Sequence, residues 1–197
     1  GWILDVENPV SHGNIVSPEY YMELRYYMHE ALEKAKQLIP EVASEYSERL
    51  GLPNYGGLIE EYMCDDAEVV LVSMGTIGSE AKLAVSKLRD EGYKVGSARI
   101  RVFRPFPREA VREIAAGAKA LAIIDRDISF GMEGILFTEV RSTLFDLPKK
   151  PLTKNFIAGL GGRDVTQSDI EQIAKKTFRT LDTGAGVEGI DWVNLRR

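Results

Sequence analysis

Two glycines, Gly75 and Gly78, lie where an apolar segment passes into a helical pattern in VSMGTIGSEAKLAVSKL. Many phosphate and dinucleotide sites begin at such a turn, because the first amides of a helix attract anions. The stretch lacks the middle glycine of the dinucleotide fingerprint and the lysine of the P-loop. Glu80 would occupy the positive end of the helix dipole and repel a phosphate. We therefore expect a structural turn, with a weak anion site at Gly75, Thr76, Gly78 and Ser79 as the alternative.

Charged side chains follow three further apolar segments. They are Arg104 in RPFP, Asp125, Arg126 and Asp127 in IIDRDISFG, and Arg163 and Asp164 in GLGGRDVT. Open α/β sheets bind ligands at the carboxyl ends of their strands, so these charges form a candidate substrate site. The alternative is a network of ion pairs that holds a neighbouring domain. We favour this interface, because arginines beside the aspartates would lower the pKa of the carboxyls, which suits acid–base catalysis poorly.

Residue types that usually bind metals or attack substrates are scarce. The chain has one cysteine, Cys64, and two histidines, His12 and His29. One cysteine excludes an internal disulfide framework and a cysteine-ligated iron–sulfur cluster within this chain. The acids around it in EYMCDD should raise the pKa of its thiol, so a nucleophilic role is not expected. We expect no catalytic residue, no metal ligand and no cofactor ligand here.

Composition and charge narrow the class of protein. The 197 residues carry a net charge of −5, which argues against nucleic acid as a main partner. No apolar run approaches the roughly 18 residues of a membrane span. The opening residues GWILDVENPV lack the pattern of a signal peptide. Together with the single cysteine, these features favour a reducing cytoplasm.

The elements that position the candidate site fall into three segments. Residues 1–66 are predicted to form an extended segment and a helical linker arm, which begins after Ser17. Pro40 should kink or interrupt that helix. Residues 67–183 are predicted to form an α/β domain, and residues 184–197 a C-terminal tail.

Within the predicted domain, apolar segments alternate with helical patterns. The predicted strands are 67–74, 93–103, 119–125 and 155–161. The predicted helices cover 79–91, the region of Ala110–Ala115, 134–146, and a segment that begins at the T-x-x-D signal of Thr166 and Asp169. The alternation indicates βαβ units, and hence a mostly parallel sheet with helices on both faces. Period-two alternation in the second strand places Arg99 and Arg101 on a solvated or interface face.

Several blocks of the sequence resemble the alpha subunit of 2-oxoacid:ferredoxin oxidoreductases, most closely the pyruvate synthase (pyruvate:ferredoxin oxidoreductase) type. They are LDVENPVSHG, PEYYMELRYYMHEALEKA, YGGLIEEY, VSMGTIGSEAK, RIRVFRPFP, IIDRDISFG, FTEV and FIAGLGGRDVT. The resemblance is to the C-terminal portion of that subunit. It implies a transketolase C-terminal-like, Rossmann-like domain. Asp127, Met132 and Glu133 depart from the family pattern, which leaves the substrate open.

The resemblance implies an enzyme that oxidatively decarboxylates a 2-oxoacid such as pyruvate, usually to acyl-CoA, CO₂ and reduced ferredoxin. The whole enzyme would use thiamine diphosphate, Mg²⁺ and [4Fe–4S] clusters, all held outside this chain. The implied partners are the remainder of the alpha subunit, a thiamine-diphosphate-binding beta subunit, small gamma and delta subunits or equivalent domains, and ferredoxin. This chain would then be a non-catalytic assembly domain. Two alternatives stay open: an independent small-anion- or nucleotide-binding module, and the C-terminal domain of another thiamine-dependent enzyme.

Overall fold

One sheet organises the chain in the computed structural model, which describes residues 3–10, 13, 15–54, 57–186 and 189–196. Its six strands within those residues are β1 (Ile59–Tyr62), β2 (Val69–Met74), β3 (Val95–Ile100), β4 (Ala120–Asp125), β5 (Leu152–Ile157) and β6 (Ile190–Trp192). Their order across the sheet is β1-β3-β2-β4-β5-β6. β1 is antiparallel to β3, and the other neighbouring strands pair in parallel.

Helices cover both faces of this sheet. The described helices are α1 (Pro18–Leu50), α2 (Ile77–Asp90), α3 (Arg108–Gly117), α4 (Ile135–Leu144) and α5 (Gln167–Thr183). α2 and α5 contribute to one apolar cluster, and α3 and α4 to the cluster on the opposite face. The predicted fold class, a mostly parallel α/β sheet preceded by a helical arm, is confirmed. Within the described residues, no helix is both long enough and apolar enough to cross a membrane.

The centre of the sheet fixes where a site would lie. β2 and β4 are neighbours, and residues Val69–Val72 and Ala120–Ile124 are buried because helices cover both faces. The connection from β2 leads through α2 to β3 on one side, whereas the connection from β3 crosses back to β4 on the other. The strand order therefore reverses between β2 and β4, which is the point where open α/β sheets commonly bind ligands.

All four predicted strands are present, but the structure corrects several details. The fourth predicted strand, 155–161, instead runs over Leu152–Ile157. The sequence did not predict β1, which lies in the predicted arm, or β6, which lies in the predicted tail. α1 continues through Pro40, so the helix is not interrupted there, and the alternative of a kink at Pro40 stays a prediction. The boundaries at residues 66 and 183 stay predictions.

Candidate functional site

The turn between β2 and α2 satisfies its own backbone amides. The amide of Gly78 donates to the carbonyl of Gly75 at 3.3 Å, and the amide of Ser79 donates to the carbonyl of Thr76 at 3.0 Å. The amide of Glu80 donates to the same Thr76 carbonyl at 3.3 Å. These acceptors are backbone carbonyls rather than the Glu80 carboxylate that the sequence suggested. Because the amides of residues 78–80 already have acceptors, the turn has few donors left for an anion.

Arg99 explains the second glycine of the turn. A Cβ atom on Gly78 would lie 2.2 Å from Cδ and 2.6 Å from Cγ of Arg99. The Arg99 guanidinium donates to Ser79 Oγ at 2.9 Å, and its Nη2 lies 2.6 Å from Oε2 of Glu60 on β1. Arg99 is thus held between α2 and β1 and is only partly exposed, whereas Arg101 is exposed. That this face forms an interface stays a prediction. Gly75, with φ of 60°, provides the left-handed conformation of the turn.

Arg126 spans the crevice between β2 and β4. Its Nη1 donates to Thr76 Oγ1 at 3.3 Å. Its Nε lies 3.1 Å from the place that a Cβ atom on Gly159 would occupy. The structure therefore brings together two members of the predicted site, Thr76 and Arg126, at the switch point of the sheet. The arginine is exposed at this edge.

Asp125 caps α4 instead of pairing with the neighbouring arginine. Its carboxylate accepts hydrogen bonds from the amides of Leu136 (2.8 Å) and Phe137 (3.3 Å) and from Nδ2 of Asn155 (3.0 Å). Burial raises the pKa of Asp125 to about 6, and the charge of Asp127 acts in the same direction, while the hydrogen bonds oppose the rise. The prediction of a lowered pKa is wrong for Asp125, because Arg126 is directed to Thr76.

The surroundings of Asp125 argue against catalysis. A pKa near neutrality suits a general acid or base. However, only 1% of Asp125 is exposed, and its oxygens face the first amides of α4. A Cβ atom on Gly134 would lie 2.1 Å from the carboxylate, so the backbone approaches closely as well. We therefore assign Asp125 the role of a helix cap.

The remaining predicted site residues have separate partners. Asp127 accepts a hydrogen bond from the amide of Ile135 at 3.0 Å. Arg104 donates to the carbonyl of Phe103 at 2.8 Å and forms an ion pair with Glu139 on α4. Arg163 donates to the carbonyl of Asn194 at 2.6 Å. Asp164 is exposed. These contacts tie strand-end loops to α4 and to the C-terminal segment. The structure does not join them with Thr76 and Arg126 into one cluster.

Sequence reasoning missed the partners that hold these charges. Glu60, Glu139 and Asn194 come from distant segments, and no local pattern indicates their contacts. Asn155 had a signal, because it is a polar residue inside an apolar strand; it is 1% exposed and donates to Asp125. A buried amide in such a place needs a hydrogen-bond partner nearby.

The described residues do not fit an iron–sulfur cluster or a metal-bound diphosphate. Among them, no group of three or more His, Cys, Asp or Glu side chains has the arrangement of a metal site. Burial raises the pKa of the Cys64 thiol to about 11, and Sγ donates to the carbonyl of Ser97 at 3.3 Å. Such a thiol is a poor ligand and a poor nucleophile, since both roles need the thiolate.

Comparison with known proteins decides the family. Residues 67–170 match the family described as pyruvate:ferredoxin oxidoreductase core domain II. Over 195 residues, or 99% of this chain, the sequence is 44% identical to the ketoisovalerate oxidoreductase subunit VorA of Pyrococcus abyssi. The chain belongs to the 2-oxoacid:ferredoxin oxidoreductase family. The resemblance predicted from its sequence blocks is confirmed.

Other members of the 2-oxoacid:ferredoxin oxidoreductase family show how much of the protein is present. The pyruvate synthase subunit PorA of Pyrococcus abyssi is 42% identical over 98% of this chain. Both matches cover 49% of the relative, so the chain spans about half the length of the curated relatives it matches. A solved 2-oxoglutarate:ferredoxin oxidoreductase from Magnetococcus marinus aligns over 67% of this chain and 21% of the solved chain, with 18% identity and a TM-score of 0.45. We draw no conclusion from this weak structural similarity.

Proposed function

We propose that this chain is the core-domain-II part of the alpha subunit of a 2-oxoacid:ferredoxin oxidoreductase. The enzyme would oxidatively decarboxylate a 2-oxoacid such as pyruvate, usually to acyl-CoA, CO₂ and reduced ferredoxin. The observation that supports this proposal is the 44% and 42% identity to the VorA and PorA subunits over almost the whole chain. Because the two identities are nearly equal, they do not favour pyruvate over ketoisovalerate, or the reverse, as the substrate.

The role proposed for this chain within the enzyme is assembly rather than catalysis. Thiamine diphosphate, Mg²⁺ and [4Fe–4S] clusters would lie on other domains and subunits, because the residues that the structure describes do not suit them. Nine of the candidate interface residues contact the chain's own loops and helix ends, whereas Asp164 is exposed. The nine are Gly75, Thr76, Gly78, Ser79, Arg104, Asp125, Arg126, Asp127 and Arg163. The exposed charged members of the candidate set, Arg104, Arg126, Arg163 and Asp164, would meet neighbouring domains.

The partners follow from the same proposal. They would be the remainder of the alpha subunit, a thiamine-diphosphate-binding beta subunit, small gamma and delta subunits or equivalent domains, and ferredoxin, in the cytoplasm. The family assignment sets aside a different thiamine-dependent enzyme. An independent anion-binding module is disfavoured, because the turn amides of residues 78–80 already have acceptors.

Steady-state kinetics of the assembled, cofactor-loaded enzyme test both parts of the proposal. The wild-type complex should reduce ferredoxin with pyruvate or ketoisovalerate in the presence of coenzyme A. The substitutions Thr76→Val and Arg126→Gln should change kcat and KM by less than about twofold, because we propose that these side chains do not contact the reacting groups. An electrostatic contact with the reacting groups would typically be worth 10²-fold or more in kcat. Failure of the wild type with every 2-oxoacid refutes the activity. A loss of about 100-fold in kcat in an intact variant complex refutes the assembly role.

A further inference from the structure

The long helix α1 is uncovered and carries exposed apolar side chains along its length, including several that lie outside the stripe that runs from Tyr20 to Tyr46: Tyr21, Met22, Tyr26, Met28 and Leu32. None of its 33 residues is buried. One stripe of apolar side chains follows it at spacings of three and four residues, over about 39 Å. The stripe consists of Tyr20, Leu24, Tyr27, Ala31, Ala35, Leu38, Val42 and Tyr46. Its six larger members are between 40% and 70% exposed. Their mean spacing, about 3.7 residues, is close to the helical repeat, so the stripe stays on one side.

The C-terminal half of the stripe forms one wall of an apolar groove. Leu38, Val42 and Tyr46 line a cavity of about 490 Å³ together with Leu52 and Pro53. Ile39 and Ala43 of the same helix and Arg101 after β3 also contribute to the lining. A groove of this kind offers shape as well as apolar area to a partner. Contiguous apolar surface on this scale marks an interaction site in a soluble protein. A helix also gains most of its stability from packing of its apolar face.

Acidic side chains predominate along one edge of the stripe. At 100° per residue, Glu23, Glu30, Glu41 and Glu45 follow the edge opposite to Lys36, Ala43 and Ser47, which are partly buried. Lys34 lies among these glutamates, and Glu45 already forms an ion pair with Arg49. A surface that covers the stripe would therefore be apolar in its centre and would carry Lys or Arg side chains where it meets these glutamates. Opposite charges at the rim of an apolar contact fix the orientation of the two surfaces.

We infer that this stripe is the docking surface for the half of the alpha subunit that this chain does not match. The inference rests on the proposed function. The curated relatives are about twice as long as the matched region, and the match includes α1 because it covers 99% of this chain. Domains of one subunit commonly pack against each other, and the stripe provides a long apolar surface with a groove for the unmatched half.

A photo-crosslinker on the stripe tests the docking surface in the assembled enzyme. Tyr46 and Tyr26 are 59% and 57% exposed and lie about 160° apart around α1. The variant Tyr46→p-benzoylphenylalanine should crosslink to a peptide of the unmatched half, which mass spectrometry identifies. The matched control Tyr26→p-benzoylphenylalanine should give at least tenfold less of that product. Adding Leu38→Glu and Val42→Glu should abolish the Tyr46 crosslink, whereas adding Met22→Glu, on the far side of the helix, should leave it.

Three results overturn the docking inference: equal crosslinking from both tyrosines, no crosslink from either, or a Tyr46 crosslink to residues 18–50 of a second copy. The last would make the stripe a contact between copies of this chain. Wild-type 2-oxoacid oxidation reports separately on the proposed function. An active enzyme without the expected crosslink refutes the docking surface alone. A crosslinked, cofactor-loaded complex that oxidises no 2-oxoacid refutes the activity alone.

Discussion

Asp125 links a single buried carboxyl to the pH dependence of folding. Burial raises its pKa from the ordinary 3.8 to about 6, so the fold favours the protonated form. Its contribution to stability is fully present below the ordinary pKa and is lost as pH rises through about 6. The loss amounts to about 3 kcal/mol in the free energy of unfolding.

The variant Asp125→Asn, which has no charge to titrate, isolates this contribution. Urea unfolding should show wild type more stable than the variant near pH 4. This advantage of wild type should become smaller as pH rises from about 4 to 6. The variant should be less stable than wild type by about 1–3 kcal/mol near pH 4. The reason is that the side-chain NH₂ of asparagine would face hydrogen-bond donors that now donate to a carboxyl oxygen of Asp125. A stability difference that stays constant from pH 4 to pH 7 contradicts the raised pKa.

Gly78 and Arg99 should be coupled, since a Cβ atom on the glycine would overlap the arginine side chain. We expect Gly78→Ala to destabilise the protein by about 1–3 kcal/mol, despite the higher helix propensity of alanine. In the background of Arg99→Ala, the same change should be neutral or stabilising, which a double-mutant cycle measures. Gly75→Ala is the control, because no atom lies near its Cβ position and only its φ of 60° opposes the change. Additive effects of Gly78→Ala and Arg99→Ala would show that the steric explanation is wrong.

At the scale of single residues, the sequence indicated which motif residues the turn lacks but not which side chains contact each other. The missing P-loop lysine and the missing middle glycine followed directly from the letters of the turn. The contacts of the surrounding charges could not be read from the sequence in this way. Glu60, the partner of Arg99, lies on β1, and that strand had no clear signal in the sequence. The adjacency of Asp125 and Arg126 was misleading, since consecutive residues at a strand end leave it in different directions.

Among the elements, β6 is joined to the sheet by a buried ion pair. Lys154 on β5 is 2% exposed, and its Nζ lies 2.7 Å from Oδ2 of Asp191 on β6. The same ammonium donates to the carbonyl of Gly186. Burial alone would raise the pKa of Asp191, but hydrogen bonds and charges from Lys154 and Lys176 hold it below its ordinary range.

Three substitutions should separate the contributions to this attachment. Asp191→Asn leaves the buried ammonium without a counter-charge and with the Gly186 carbonyl as its remaining partner, and should cost about 1–3 kcal/mol, with faster hydrogen exchange of the amides of β6. Lys154→Met should be close to neutral, because it removes the charge and keeps the volume. Lys176→Ala, the exposed control, should cost less than about 1 kcal/mol. Equal losses from Asp191→Asn and Lys176→Ala would contradict the buried pair as the main attachment.

The elements that the sequence predicted are those with long, regular patterns. The four apolar strands and the capping box of Thr166 and Asp169 are all present. β1 was missed because IEEY carries two acids and no alternation, and β6 because three residues give no period. α1 continues through Pro40, so the helical turns on either side of this proline outweigh its disruptive effect.

For the whole molecule, topology explains why the candidate site is only partly formed. The reversal of strand order between β2 and β4 places Thr76 and Arg126 beside each other, as expected for a ligand crevice. The other charges at the same edge contact α4 and the C-terminal segment. Strand order was not predictable from the sequence, because the pairing of β4 with β2 depends on the path of the α3 connection.

An electron cryomicroscopy map of the assembled enzyme with thiamine diphosphate, Mg²⁺ and coenzyme A tests the central claim most directly. The claim is that this chain supports assembly while its strand-end charges contact the protein itself. We predict that protein from the unmatched half covers the α1 stripe, and that no cofactor or substrate atom contacts the turn at Gly75–Ser79 or the Arg126 guanidinium. A diphosphate, a metal ion or a 2-oxoacid bound against that turn would contradict the account.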